Sequence, residues 1–285
     1  MSEVAWELAV AGVPLDQQRA TLKDELVRTG LPASASEWVM ARALPGALLR
    51  VDRAASCASA AGGPASIEVP VDWAWPESQW GPLALLAVIR LDEIVGMAEL
   101  SLAAIGGTLL FFHDETPGLD DMRLDATHVL HVPEGAPTRA VAPFGEYQMP
   151  AAVPLVGAAA PIPGHDDEVW THLQADGQGD AWIDASGDAL ESHNESWKLL
   201  GRPFADTPIS QLIRRWFQTP EAAADGSSFS QAERAGEGWT LLLQTRPVYD
   251  DDLAIDIMGS RFFVLPEVDL KRHRFDRVVA FVDPW

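Results

Sequence analysis

Leu85-Leu86-Ala87-Val88-Ile89, followed through a short loop by Gly107-Thr108-Leu109-Leu110-Phe111-Phe112, recurs late in the chain as Leu241-Leu242-Leu243-Gln244 and Gly259-Ser260-Arg261-Phe262-Phe263-Val264. Each pair is followed by charges and then by a third apolar segment. The first is His128-Val129-Leu130-His131-Val132-Pro133; the second is Arg277-Val278-Val279-Ala280-Phe281-Val282-Asp283-Pro284. Leu85 to Gly106 spans 21 positions and Leu241 to Gly259 spans 18. Short apolar runs bounded by glycine predict buried strands, and their ordered recurrence predicts a copied sheet unit. The expected fold is α+β: two related antiparallel-rich β-sheet units, an internal duplication, packed together with flanking helices. Residues 1–60 read as an N-terminal helical extension, 61–150 as the first unit and 151–285 as the second.

The 285 residues suffice for a full core, and 47% hydrophobic with 22% charged content is ordinary for a folded chain. No apolar run approaches the ~20 residues that span a bilayer. Acids stand near Met1 where a leader needs bases, and Cys57 is the single cysteine, so a cytoplasmic protein without an internal disulfide is expected. The net charge is −22. Residues 1–150 hold 20 acids and 9 bases, and the remainder 22 and 11, so each part carries −11. Such a surface repels nucleic acid and anionic membrane and would steer a basic protein partner inward; its plainer use is solubility.

Around the repeats, residues 15–29 predict a helix stopped by Gly30 and Pro32. A weaker one is read from Ser36 to Leu44, ending before Pro45-Gly46. Ile94 to Ala103 reads as a short helix. Residues 54–66 read as loop, and residues 133–165, rich in Pro, Gly and Ala, as a hinge with a short strand at Tyr147-Gln148-Met149-Pro150. The acidic, glycine-dotted stretch from Asp166 to Asn194 reads as a surface excursion. Ile209, Leu212, Ile213, Trp216 and Phe217 form one apolar stripe on a helix over 208–218, made to pack on a sheet. Trp73, Trp75 and Trp80 lie in a Pro-rich loop; they either line a groove or cap a sheet.

Gly62-Gly63-Pro64, Trp75-Pro76, Pro82-Leu83-x-Leu85-Leu86, Gly107-x-Leu109-x-Phe111-Phe112, Tyr147-Gln148-Met149, Trp197-Lys198-Leu199-Leu200-Gly201-Arg202-Pro203, Leu241 to Gln244 and Gly259 to Phe263 come in an order that resembles the YwqG-like family. The resemblance covers about residues 60–285. It implies a bacterial domain of unknown function, some members of which look to sit beside secreted-toxin cassettes, a setting that suggests immunity roles for them. The chain departs from that pattern at three polar positions. Val88-Ile89-Arg90 stands where Gln-Ile-Asp is usual, Arg246 where an acid is usual, and Ile255-Asp256-Ile257 where Trp-Gly-Asp is usual. Any site built on those groups is lost or remade here.

Candidate chemistry is sparse. His128 and His131 sit three apart on one strand, so they face opposite sides and make a poor metal pair. His113-Asp114-Glu115 ends a strand, where loops carry function. His165-Asp166-Asp167-Glu168 and Asp250-Asp251-Asp252 lack the spacing of a calcium loop and read as solvated turns. Asp176, Asp180, Asp184 and Asp188 recur every four residues, but Gly177, Gly179 and Gly187 argue against the helix that would align them. Cys57 has no base nearby in sequence. Gly62-Gly63 and Gly106-Gly107 lack the lysine of a P-loop. No metal or cofactor is expected.

The first functional reading is a non-enzymatic binding module, immunity-type or regulatory, that meets a basic partner through an acidic surface. Its contact residues would be Trp73, Trp75, Trp80, Asp166, Asp167, Asp250 and Asp251. The alternative is an enzyme or small-ligand binder with its site in the crevice between the two units, where His113, Asp114, Gln244 and Arg246 are the groups to search.

Overall fold

The structure, a computed structural model, describes residues 3–114, 127–143, 152–164, 167–190, 196–203, 209–218, 229–246 and 260–283. Three helices come first: α1 Val4–Val10, α2 Leu15–Arg28 and α3 Ala33–Ala41. The strands β1 Leu44–Val51, β2 Ala60–Ala61, β3 Ile67–Pro70, β4 Glu77–Ser78, β5 Gly81–Pro82, β6 Ala84–Arg90, β7 Ile94–Val95, β8 Thr108–His113, β9 Thr127–Val132, β10 Thr138–Val141 and β11 Val153–Ile162 follow. Then come helices α4 Asp167–Ala175 and α5 Gly179–Ala189, strand β12 Trp197–Leu200, and helices α6 Ile209–Trp216 and α7 Gln231–Arg234. The chain ends with β13 Trp239–Gln244, β14 Ser260–Pro266, helix α8 Glu267–Lys271 and β15 Val279–Asp283.

Among the described residues, one eleven-stranded sheet dominates. Its order is β15-β14-β13-β12-β1-β11-β2-β6-β8-β9, with β7 pairing β11 off this path. All neighbours on the path are antiparallel; β7 runs parallel to β11. The two ends, β9 and β15, approach each other, so the sheet curls into a nearly closed barrel. The order reads the same outward from the central β1–β11 pair. A short strand comes first (β12 or β2), then a three-strand meander (β13-β14-β15 or β6-β8-β9). Each meander has one register shift at the corresponding place: between Leu85 and Ala87, and between Leu241 and Leu243. A bulge there bends its strand and adds curvature to the sheet.

Alternation along each strand sends one set of side chains inward and the other outward. Leu49, Ala87, Leu109, Phe111, Val129, Leu155, Trp197, Leu199, Leu243, Phe263, Leu265 and Ala280 fill the interior. The rings of Phe111 and Phe263 meet edge to face at 5.2 Å, joining the two meanders through the middle. Outward side chains are covered locally. Leu241, Phe262, Val264, Val279 and Phe281 lie under α6 and Phe229. Leu48, Ala158, Ala160 and Ile162 lie under α1. Leu85, Leu110 and Phe112 lie under Trp73 and Trp75. A helical layer of α2, α3, α4 and α5 buries Leu22, Leu26, Val39, Met40, Val169, Leu173 and Trp182.

Several expectations are corrected here. The helix read to Leu44 ends at Ala41, and Pro45-Gly46, taken as a stop, lies in β1 at the centre of the sheet. The nominal helical extension therefore contributes a central strand. A Cβ at Gly46 would sit 2.9 Å from the Leu200 backbone, so the closeness of β1 and β12 requires glycine there. The expected hinge contains β11, ten residues long, whose Gly157 and run of alanines lie against β1 and β7. The expected surface excursion holds α4 and α5. Trp182, Ala185 and Ala189 on one face outweigh the helix-breaking tendency of Gly179 and Gly187, so Asp180 and Asp184 do share a helix. Residues 94–103 form β7 and two short 3₁₀ turns rather than an α-helix. The expected short strand at Tyr147 to Pro150 lies outside the described residues.

Candidate functional site

The antiparallel path fixes which strand ends share a rim. β8, β2, β1, β13 and β15 run one way and β9, β6, β11, β12 and β14 the other. His113 ends β8 and Gln244 ends β13, so both belong to the same mouth of the barrel, with Asp114 and Arg246 just beyond them. The four residues expected to share a crevice thus share a rim, but they face different ways.

His113 turns inward. Its ring lies 6.2 Å from the Phe263 ring of the opposite meander, and its Nδ1 lies 3.4 Å from Thr127 Oγ1 on the neighbouring strand. Asp114 turns to the outside rim, where its Oδ2 accepts a 2.7 Å hydrogen bond from Ser78 Oγ. Ser78 belongs to the β4–β5 hairpin, and its Oγ also accepts the backbone N–H of Trp80. Gln244 is buried on the outward side, opposite Lys198 and Phe262. Arg246 is half-buried and its carbonyl accepts from Trp197 Nε1 at 3.2 Å.

The residue that joins His113 inside the mouth is Arg261, absent from the sequence expectations. It shares the face of Phe263 and Leu265 by alternation on β14 and is 8% exposed. Its backbone is clamped to Thr245: the Thr245 N–H donates to Arg261 O at 2.9 Å, and the Arg261 N–H donates to Thr245 Oγ1 at 3.1 Å. Phe111 and His113 both touch Phe263 from across the interior, so His113 and Arg261 occupy the layer above the Phe111–Phe263 contact. An imidazole, a guanidinium and two threonines therefore ring an aromatic floor. The signal for Arg261 was present in the sequence: period-2 alternation with Phe263 turns it inward. A second unanticipated group is Lys198, 1% exposed on the outward face of β12. Burial, then the charge of Arg246, holds its pKa well below the ordinary lysine value.

The expected partner-contact residues divide. Trp73 and Trp75 pack on Phe112, at 5.5 and 5.2 Å between ring centroids, and Trp75 Nε1 donates to Leu83 O. They cap the sheet. Trp80 is 64% exposed at the hairpin tip. Asp167 opens α4, while Asp166, Asp250 and Asp251 lie outside the described residues. His128 packs outward on Phe112 and Trp73, and His131 meets Phe275 and the Gly106 carbonyl, so the two face opposite sides. Among the described residues, no group of three or more His, Cys, Asp or Glu is placed to hold a metal. The Cys57 thiol is pushed above its ordinary pKa by burial and then by Glu93, which disfavours the nucleophilic thiolate. Glu93 itself is engaged by the backbone N–H groups of Ala58 and Ser59. Among the described residues, no helix is long and apolar enough to cross a membrane.

Fold and site together define a helix-flanked, nearly closed antiparallel barrel with a polar mouth between two meanders. The chain belongs to a domain-of-unknown-function family, DUF1963, whose sequence model matches residues 59–283. That span takes in both meanders and leaves α1, α2, α3 and β1 outside it. No curated protein matches the chain.

Proposed function

We propose that this chain is a small-ligand-binding protein whose site is the barrel mouth bounded by His113, Thr127, Thr245 and Arg261. The observation that carries the reading is the approach of His113 to Phe263, which puts polar groups from opposite meanders over one aromatic floor. Binding sites favour such junctions, where few polar groups converge on an apolar surface. The capture of a basic partner by an acidic surface draws its support from the charge of −22 and the exposed Trp80. It loses two of its contact residues to the packing of Trp73 and Trp75. The mirrored strand order and matched bulges support descent of the two meanders from one duplicated unit, the ordered motifs support the YwqG-like name, and the single cysteine fits a cytoplasmic setting.

A fragment library screened by ligand-observed NMR tests the reading. Fragments should bind the wild type and lose binding in Thr127→Phe, which places a ring in the mouth. Fragments that bind both proteins equally, or none that bind at all, would count against it.

A further inference from the structure

We propose that residues 71–82, the loop of Trp73 and Trp75 together with the β4–β5 hairpin, form a flap that acid loosens, and that His128 beneath it is the trigger. The inference stands apart from the ligand-binding reading, because the flap and its trigger lie on the outward face of the sheet.

Three observations carry it. First, His128 sits where its charged form is poorly served. It pairs with Phe112 across β8 and β9, with ring centroids 6.0 Å apart, and the Trp73 ring lies 6.5 Å away. Its Nε2 is buried and has no hydrogen-bond partner among the described residues. The imidazolium carries an N–H on both nitrogens, so protonation sets a charged donor where no acceptor is described. Tilted rings at 6.0 and 6.5 Å give little cation–π relief. Second, the charged and titratable groups described around it are engaged or turned away. Asp114 accepts from Ser78, Arg139 donates to the carbonyls of Val71 and Trp73, and His113 turns inward to Thr127. Glu68, Asp72 and Glu77 are exposed. Glu115, Asp120, Asp121, Arg123 and Asp125, on the connection from β8 to β9, lie outside the described residues. Burial is the cause that lowers the His128 pKa. Third, the flap is a separate layer. Among the described strands, β4 and β5 pair with each other and join no larger sheet. Trp73 and Trp75 rest on Phe112 by ring packing. Such a segment can open without unfolding the barrel beneath it. Opening gives His128 water and uncovers Leu85, Leu110 and Phe112. The closed flap is therefore favoured while His128 is neutral, and that preference is lost as pH falls through the ordinary histidine pKa of about 6.5 toward the lower value of the closed state.

Hydrogen exchange of the full-length chain, read by mass spectrometry of peptides from the flap, from β1 and from β11, tests this at pH 7.5 and pH 5. The wild type is compared with His128→Phe at each pH, which cancels the pH dependence of exchange itself. The ratio of wild-type to variant exchange in the flap should rise at least about fivefold from pH 7.5 to pH 5, the least that a buried unmatched donor gives. The same ratio for β1 and β11 should stay constant. If His128→Phe does not fold, His128→Gln, neutral at both pH values, should give the same rise. A flap ratio that does not change with pH would overturn the inference. So would a rise shared equally by β1 and β11, which marks a general softening of the molecule. A ratio that falls at pH 5 would also overturn it, since the imidazolium would then be held by an acid in the closed state.

Discussion

At the scale of single residues, the molecule places three ionisable groups where water cannot reach them freely. His128 rests between Phe112 and Trp73, and burial lowers its pKa below the ordinary value of about 6.5. The unfolded chain then binds the proton more readily than the folded one. Stability contributed by neutral His128 is present above the unfolded pKa and is lost as pH falls through 6.5 toward the folded value. Urea unfolding at pH 7.5 and pH 5 should show a smaller acid-side loss in His128→Phe than in the wild type; identical losses would be the contrary result. Lys198 obeys the same sign with a higher starting point. Its contribution is complete above the unfolded lysine pKa and declines as pH falls below it. Lys198→Met should therefore be at least as stable as the wild type at pH 7, measured by the same unfolding curves. Asp269 is 1% exposed and clasped by Arg274 and Arg277 at 3.1 and 2.6 Å. Asp269→Asn removes the buried carboxylate those cations share, leaving Glu233 to Arg277 and Asp276 to Arg274, and should cost about 3 kcal/mol in urea unfolding.

At the scale of elements, what could be read in advance depended on whether a segment announced its burial with large side chains. Strands β6, β8, β13 and β14 did so through Leu, Val, Ile and Phe, and α6 through Leu212, Ile213 and Trp216. Strands β1 and β11 are central yet resemble loop, because Pro45-Gly46 interrupts the first and Gly157, three alanines and Pro161 fill much of the second. Their small residues allow close approach: added atoms at Gly46 would meet Leu200, and at Gly157 would meet Leu49 and Ile94. Close packing at the centre thus removed the very side chains that mark a strand. For the mouth, strand-end reasoning located His113 and Gln244 but could not assign their faces, since facing depends on the partner strands. Gly46→Ala should cost about 1–3 kcal/mol in thermal or urea unfolding, because the new methyl meets backbone that cannot step aside. Trp216→Ala should cost about 3–5 kcal/mol through the cavity left between α6 and the sheet.

At the scale of the whole molecule, one continuous sheet runs from β15 to β9 and curls until those two edge strands approach each other. The meanders lie far apart in the sheet order, on either side of β1 and β11, and meet again only because the sheet curls. That curl produces the Phe111–Phe263 contact, and with it the mouth in which His113 and Arg261 share a layer. A flat sheet of the same order would keep the two rings several strands apart. The most direct measurement is a double-mutant cycle on Phe111→Leu and Phe263→Leu, read by urea unfolding. Edge-to-face contact predicts a coupling of about 0.5–1.5 kcal/mol between the two substitutions. Additive effects, with a coupling indistinguishable from zero, would contradict the closed arrangement on which the mouth depends.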